Sequence, residues 1–177
     1  MAATVQIHSW HGAGAGSGTN INNGEVRFKL ADNDTVDLNA PLRVPTQEQV
    51  DALIAYTYSF RKYFKVNFTT TPSSSISNLR FFTDGNNLDA QVVLLADQTD
   101  TYQENVSADS TGDTTAHWLA VSYTKASPLV VNSGTVLSNP STGYGTQDFV
   151  MVQAMVSASA TAGVVGPQVW SYRYDEQ

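Results

Sequence analysis

The chain has 177 residues, 16 Asp and Glu against 9 Lys and Arg for a net charge of −7, and 0 Cys. That length predicts one domain with a real core, the acidic balance opposes a nucleic-acid backbone through the whole field, and the lack of thiols rules out a disulfide framework or a thiolate zinc site. Only 14% of residues are charged, against roughly 25% in an average soluble domain, so Ser, Thr, Asn, Gln and Gly must build the surface, which favours strands and turns over salt-bridged helices.

In chain order, Met1 to Gln6 has no basic region followed by an apolar stretch, and no run of about 18 apolar residues occurs; a soluble, unprocessed chain with no membrane partner is expected. Val5 to Ser9 reads as a first strand. Gly12 to Gly24 is a flexible Gly-rich loop by composition, so residues 1–24 are expected to form a terminal strand and arm, with a β-sandwich domain over 25–177. Glu25 to Leu30 is the next strand candidate. Thr46-Gln47-Glu48-Gln49 matches a capping box, and Val50, Leu53, Ile54 and Thr57 follow at helical spacing, which predicts about two helical turns.

The clearest period-two stretch is Tyr56 to Phe68. Tyr56, Tyr58, Phe60, Phe64, Val66 and Phe68 are expected to share one buried face. Lys62 breaks that row, so a bulge there or an ammonium reaching the sheet edge is expected. Further strands are predicted over Ile76 to Thr83, Ala90 to Ala96, Trp118 to Tyr123, Phe149 to Ser157 and Gln168 to Asp175. Asp84-Gly85-Asn86-Asn87, Thr111-Gly112-Asp113 and Asn132-Ser133-Gly134 supply turn chemistry. One helix and about eight short strands predict an all-β protein, a β-sandwich of jelly-roll type.

No catalytic or metal signature emerges. His8 and His11 could bracket a metal on a helix, but three residues apart on a strand they point to opposite faces. His117 reads as a wet strand entrance. Asp32, Asp34 and Asp37 lack the Gly and distal Glu of a calcium loop and read as Asx turns, as do Asp109 and Asp113. Gly14-Ala15-Gly16-Ser17-Gly18 has neither a phosphate-loop continuation nor a nucleophile elbow around Ser17. The acceptor patterns at Asn33, Asn67 and Asn105 are of a kind that arises by chance in a Ser/Thr-rich chain. Trp170, Tyr172 and Tyr174 alternate with Ser171, Arg173 and Asp175. That aromatic row closes a sandwich if buried, or grips a sugar ring or a partner if exposed.

Two stretches together resemble a known group. Tyr58-Ser59-Phe60-Arg61-Lys62-Tyr63-Phe64-Lys65-Val66 leading to Ile76-Ser77-Asn78-Leu79-Arg80-Phe81-Phe82-Thr83-Asp84-Gly85 is similar to the first strand pair of small virion proteins of tailed bacteriophages. Tyr144-Gly145-Thr146-Gln147-Asp148-Phe149-Val150-Met151-Val152-Gln153 followed by Trp170-Ser171-Tyr172-Arg173-Tyr174-Asp175-Glu176 resembles their closing hairpin. The resemblance covers about half the chain. It implies a capsid decoration, or cement, protein on the exterior of the virion, with the major capsid protein and further copies of itself, as a homotrimer, for partners. It implies no catalytic residue, cofactor or metal, and so no enzyme. Ile7, Trp10 and Ile21 around the terminal arm, with Trp170, are the candidate partner-binding residues. A carbohydrate-binding sandwich and a tail- or baseplate-associated virion protein are the alternative readings.

Overall fold

The computed structural model describes residues 3–12, 17–21, 26–32, 41–52, 55–70, 75–86, 88–103, 117–131, 137–138, 143–161 and 168–176. The described residues are mostly β, 53% strand and 8% helix, arranged as two antiparallel sheets that face each other across one core. The larger sheet contains β1 (Thr4–His11), β2 (Ser17–Asn20), β3 (Tyr56–Tyr58), β4 (Lys62–Thr70), β6 (Val92–Thr99), β7 (His117–Trp118) and β10 (Phe149–Ser157). Its order is β2-β1-β4-β10-β6-β7, with β3 also on β10. The smaller sheet, β11-β5-β8 with β9 on β5, is made by β5 (Ser75–Thr83), β8 (Leu129–Val130), β9 (Leu137–Ser138) and β11 (Trp170–Glu176). The all-β sandwich expected from period-two patterning is therefore present. A late strand, β10, lies between the earlier β4 and β6, the kind of interleaving that jelly rolls require.

The stretches read as a strand pair and a closing hairpin are neither. The chain crosses from β4 in one sheet to β5 in the other, and from β10 to β11 in the same way. Each crossing brings apolar faces together. Phe64, Val66 and Phe68 from β4 meet Ile76, Leu79 and Phe81 from β5, and Leu94, Ala96, Val150, Val152 and Ala154 complete the same cluster.

The row from Tyr56 to Phe68 does not keep one face. Tyr58 pairs with Met155 but Lys62 pairs with Val152, so four steps on one strand oppose three on the other. That extra residue is a β-bulge at positions 59–61, and it inverts the alternation. Tyr58 consequently packs with Val93, Leu95 and Met155 on the outer face, Tyr56 is 39% exposed, and Lys62, immediately after the bulge, is fully buried rather than reaching the edge. Ser59 fixes the bulge: its amide donates to Ala154 O, its hydroxyl accepts from Ala154 N at 3.0 Å, and its carbonyl accepts from Gln153 Nε2 at 2.9 Å. A second bulge occurs in β5, where Arg80 pairs with Arg173 but Ser77 pairs with Asp175. Asn78 absorbs it at φ 53°, a left-handed conformation that Asn tolerates.

Helix α1 (Gln47–Asp51) has the predicted capping box, Thr46 and Gln49 bonding reciprocally, but none of its residues is buried. Glu25 to Leu30 forms no strand among its described residues, only a bridge from Lys29 to Pro41. The strand expected over Trp118 to Tyr123 gives way after β7 to one helical turn, α2 (Leu119–Ser122). That turn buries Leu119 completely and delivers the Tyr123 carbonyl to Thr83 N at 2.9 Å. The strand expected before the loop at Gly12, assigned with residues 1–24 to an arm, lies inside the large sheet between β2 and β4. Leu53, Ile54, Asp34, Asp37, Asn33, Asn105, Asp109 and Asp113, positions 13–16 and 22–24 of the Gly-rich loop, and the turns at 111–113 and 132–134 lie outside the described residues.

Candidate functional site

The outer face of the large sheet carries a second aromatic cluster, built where β1, β4 and β10 present alternate residues away from the core. Trp10, Tyr63, Phe149 and Met151 are its buried members. Tyr144 meets Trp10 edge-on at 4.7 Å between centroids, Phe149 meets Trp10 at 5.3 Å, and Tyr102 meets Tyr63 at 4.9 Å. Such edge-to-face contacts align ring quadrupoles as well as burying area. Lys65 places Nζ 3.8 Å from the centroid of Phe149. Burial lowers the pKa of this ammonium, with Asp148 acting in the opposite sense. The Tyr102 hydroxyl donates to Gly12 O at 2.6 Å, and Gly12 N donates to Asp32 Oδ2 at 2.9 Å, so the turn after β1 is held from two sides. At Gly18 a Cβ would stand 2.6 Å from the Tyr144 hydroxyl and 2.8 Å from Trp10 Cζ2; only glycine lets β2 lie this close.

Next to this cluster, Arg61, Tyr63, Asp97, Gln98, Gln103 and Met151 line a half-open polar cleft of about 180 Å³. Gln98 Nε2 donates to Asp148 Oδ2 at one side of it. His8, at the β1 side of the cluster, has Nδ1 2.9 Å from the Tyr144 hydroxyl and Nε2 within 3.2 Å of Gln6 Oε1 and 3.3 Å of Asn67 Nδ2. Burial pushes its pKa down, while a hydrogen bond to the Gly18 backbone pushes it up by less. The imidazole is therefore a neutral hydrogen-bonding hub, and no group of three or more metal-type ligands occurs among the described residues.

Gln147 completes the seam between β4 and the start of β10. Its Oε1 accepts from Val66 N at 2.8 Å and its Nε2 donates to Val66 O at 2.5 Å, so one side-chain amide substitutes for a peptide unit. Further along β4, Phe68 and Gly143 exchange backbone hydrogen bonds at 2.8 and 2.9 Å.

The outer face of the small sheet has a different character. Arg80 and Arg173 are directly opposed in the β5–β11 register, and Phe82 opposes Ser171 two pairs further on, on the same face. Val130, 37% exposed, opposes Arg80 on its other side. Like charges opposed across strands are unfavourable. Arg80 Nη1 donates to Leu79 O at 3.1 Å, and among the described residues neither guanidinium meets a carboxylate. The nearby acids are engaged elsewhere: Asp175 Oδ2 accepts from Asn78 Nδ2 and Glu176 Oε2 accepts from Ala3 N at 2.9 Å.

The structure does not gather the sequence-predicted partner residues on one surface. Ile7, Ile21 and Trp170 pack against the inner core, and Trp10 is 7% exposed in the outer cluster. Trp170 lies 5.3 Å from Phe64, Tyr172 5.2 Å from Phe81 and Tyr174 5.8 Å from Phe68 between ring centroids; the aromatic row of β11 packs, partly buried, onto the core of the sandwich. No local pattern in the sequence announces the opposed arginines. Alternation places Arg173 on the polar face of β11, but only the register of two strands distant in sequence places Arg80 beside it. Comparison of the chain with protein-family models, with curated proteins and with solved structures finds no match.

Proposed function

We propose that this protein is a structural virion component that decorates a phage capsid, binding the exterior of the shell lattice and other copies of itself as a homotrimer. The observation that supports the reading is that the two stretches resembling virion proteins fall on β4, β5, β10 and β11 of an all-β sandwich, although they run as crossings between its two sheets and not as the hairpins the resemblance implies. Self-association has a candidate surface as well. Val121 is 66% and Val169 59% exposed, and the end of β5 bonds Val169 itself and Tyr123, two residues beyond Val121: Tyr123 O accepts from Thr83 N and Val169 O from Asp84 N. Exposed apolar side chains flanking the end of a strand are what an oligomer contact would cover. The test is light-scattering mass in solution together with co-sedimentation on purified shells that lack the native protein. A trimer that saturates the shells is the expected result; a monomer that stays in the supernatant overturns the reading.

A further inference from the structure

We infer that the outer face of the small sheet is a docking surface for an acidic segment of another protein, whose carboxylates bridge Arg80 and Arg173. Two guanidiniums opposed across antiparallel strands repel each other in the isolated chain. The pair becomes favourable once an anion accepts hydrogen bonds from both forks. The described carboxylates nearby do not serve: Asp175 is held by Asn78 and Glu176 is bonded by Ala3 N. Phe82 and Val130 flank the charges, and an arginine fork beside an aromatic and an aliphatic side chain is the composition of an interface anchor.

Charge complementarity selects the occupant. A second copy docking through the same face about a twofold axis would set arginine against arginine. A nucleic acid would meet the repulsion of a chain of net charge −7 at every phosphate, whereas a short acidic peptide segment meets that field only within a Debye length of the pair. The inference rests on the decoration reading only for the partner's identity, which under that reading is a shell subunit.

The experiment titrates a fluorescein-labelled Glu-rich peptide by anisotropy against the full chain, Arg80→Gln/Arg173→Gln and Arg173→Glu, at about 50 mM and about 300 mM salt. Thermal melts of each variant and co-sedimentation with shells accompany it. The wild-type chain should bind the peptide in a salt-sensitive manner and the double variant about tenfold or more weakly. Arg173→Glu should lose binding yet melt about 1–3 °C higher, because it exchanges a like-charge pair for an opposite one. Undiminished peptide binding by the double variant overturns the inference. So does a lower melting temperature for Arg173→Glu, which would assign Arg173 to the fold, or a single-stranded oligonucleotide of equal charge that competes as well as the peptide. If the double variant loses the peptide while even the wild-type chain ignores shells, the docking surface stands and the decoration reading falls; if the double variant keeps the peptide and binds shells as the wild-type chain does, the docking surface falls and the decoration reading stands.

Discussion

Individual side chains in this sandwich divide between those that fill the core and those that replace backbone. Phe64 is 1% exposed and contacts the ring of Trp170, so Phe64→Ala is expected to cost about 3–5 kcal/mol, read from chemical denaturation. Gly18→Ala forces a methyl into Trp10 and the Tyr144 hydroxyl and should cost about 1–3 kcal/mol, with loss of near-ultraviolet circular dichroism from the aromatic cluster. Tyr172 behaves in the opposite way. Its hydroxyl is buried with no hydrogen-bond partner among the described residues, so Tyr172→Phe removes a desolvated polar group and should leave stability unchanged or raise it by about 1 kcal/mol. A clear drop in denaturation midpoint for Tyr172→Phe would reveal a partner for that oxygen.

At the scale of elements, β1 is the test of what the N-terminal segment does. It pairs with β4 along most of its length and supplies Trp10 to the outer cluster. Deleting residues 1–24 should therefore unfold the large sheet and abolish the cooperative melt, whereas a detachable arm would leave the melt intact. Thr46→Ala breaks the capping box of α1, worth about 1 kcal/mol to a helix; because α1 buries nothing, protection of residues 47–52 should fall while global stability holds. The strands themselves were legible, since period-two patterning follows directly from the pleat. Their faces were legible only as far as the next bulge. Lys62 signalled a break in the row, but the break falls at 59–61, and everything before it turns over. Asn78 does the same in β5 without any apolar signal. Pairing was the least legible level: whether β4 continues into a hairpin or crosses to the other sheet depends on which distant strands offer a matching face, and no local residue records that. The Arg80–Arg173 juxtaposition was hidden for this reason.

For the whole molecule, far-ultraviolet circular dichroism should be β-dominated with little helix, and stability should have both an acid and an alkaline limb. His8 is held below its ordinary pKa mainly by burial, so its neutral form favours the fold and stability is lost as pH falls below about 6.5. Asp84 is partly desolvated, which acts upward, but hydrogen bonds from Asn86, Val169 and Thr83 hold its carboxyl lower overall; that contribution is lost at still lower pH. Burial pushes the Tyr172 phenol strongly upward from 10.0, so the unfolded chain ionises first and stability declines as pH rises above about 10. Tyr172→Phe should weaken that limb without abolishing it in a denaturation series across pH, because burial also raises Tyr58, Tyr123, Tyr144 and Tyr174. The interleaved strand order also governs how the chain is born. On the ribosome, β4 and β6 emerge early but have no shared neighbour until Phe149–Ser157 is made, and the core remains open until Trp170 follows. The nascent protein must carry two unpaired, apolar strand edges through most of its synthesis, a condition that slows folding and invites aggregation. Chains ending before residue 149 should be insoluble, and refolding of the complete chain should be slow compared with that of sheets built from sequential hairpins.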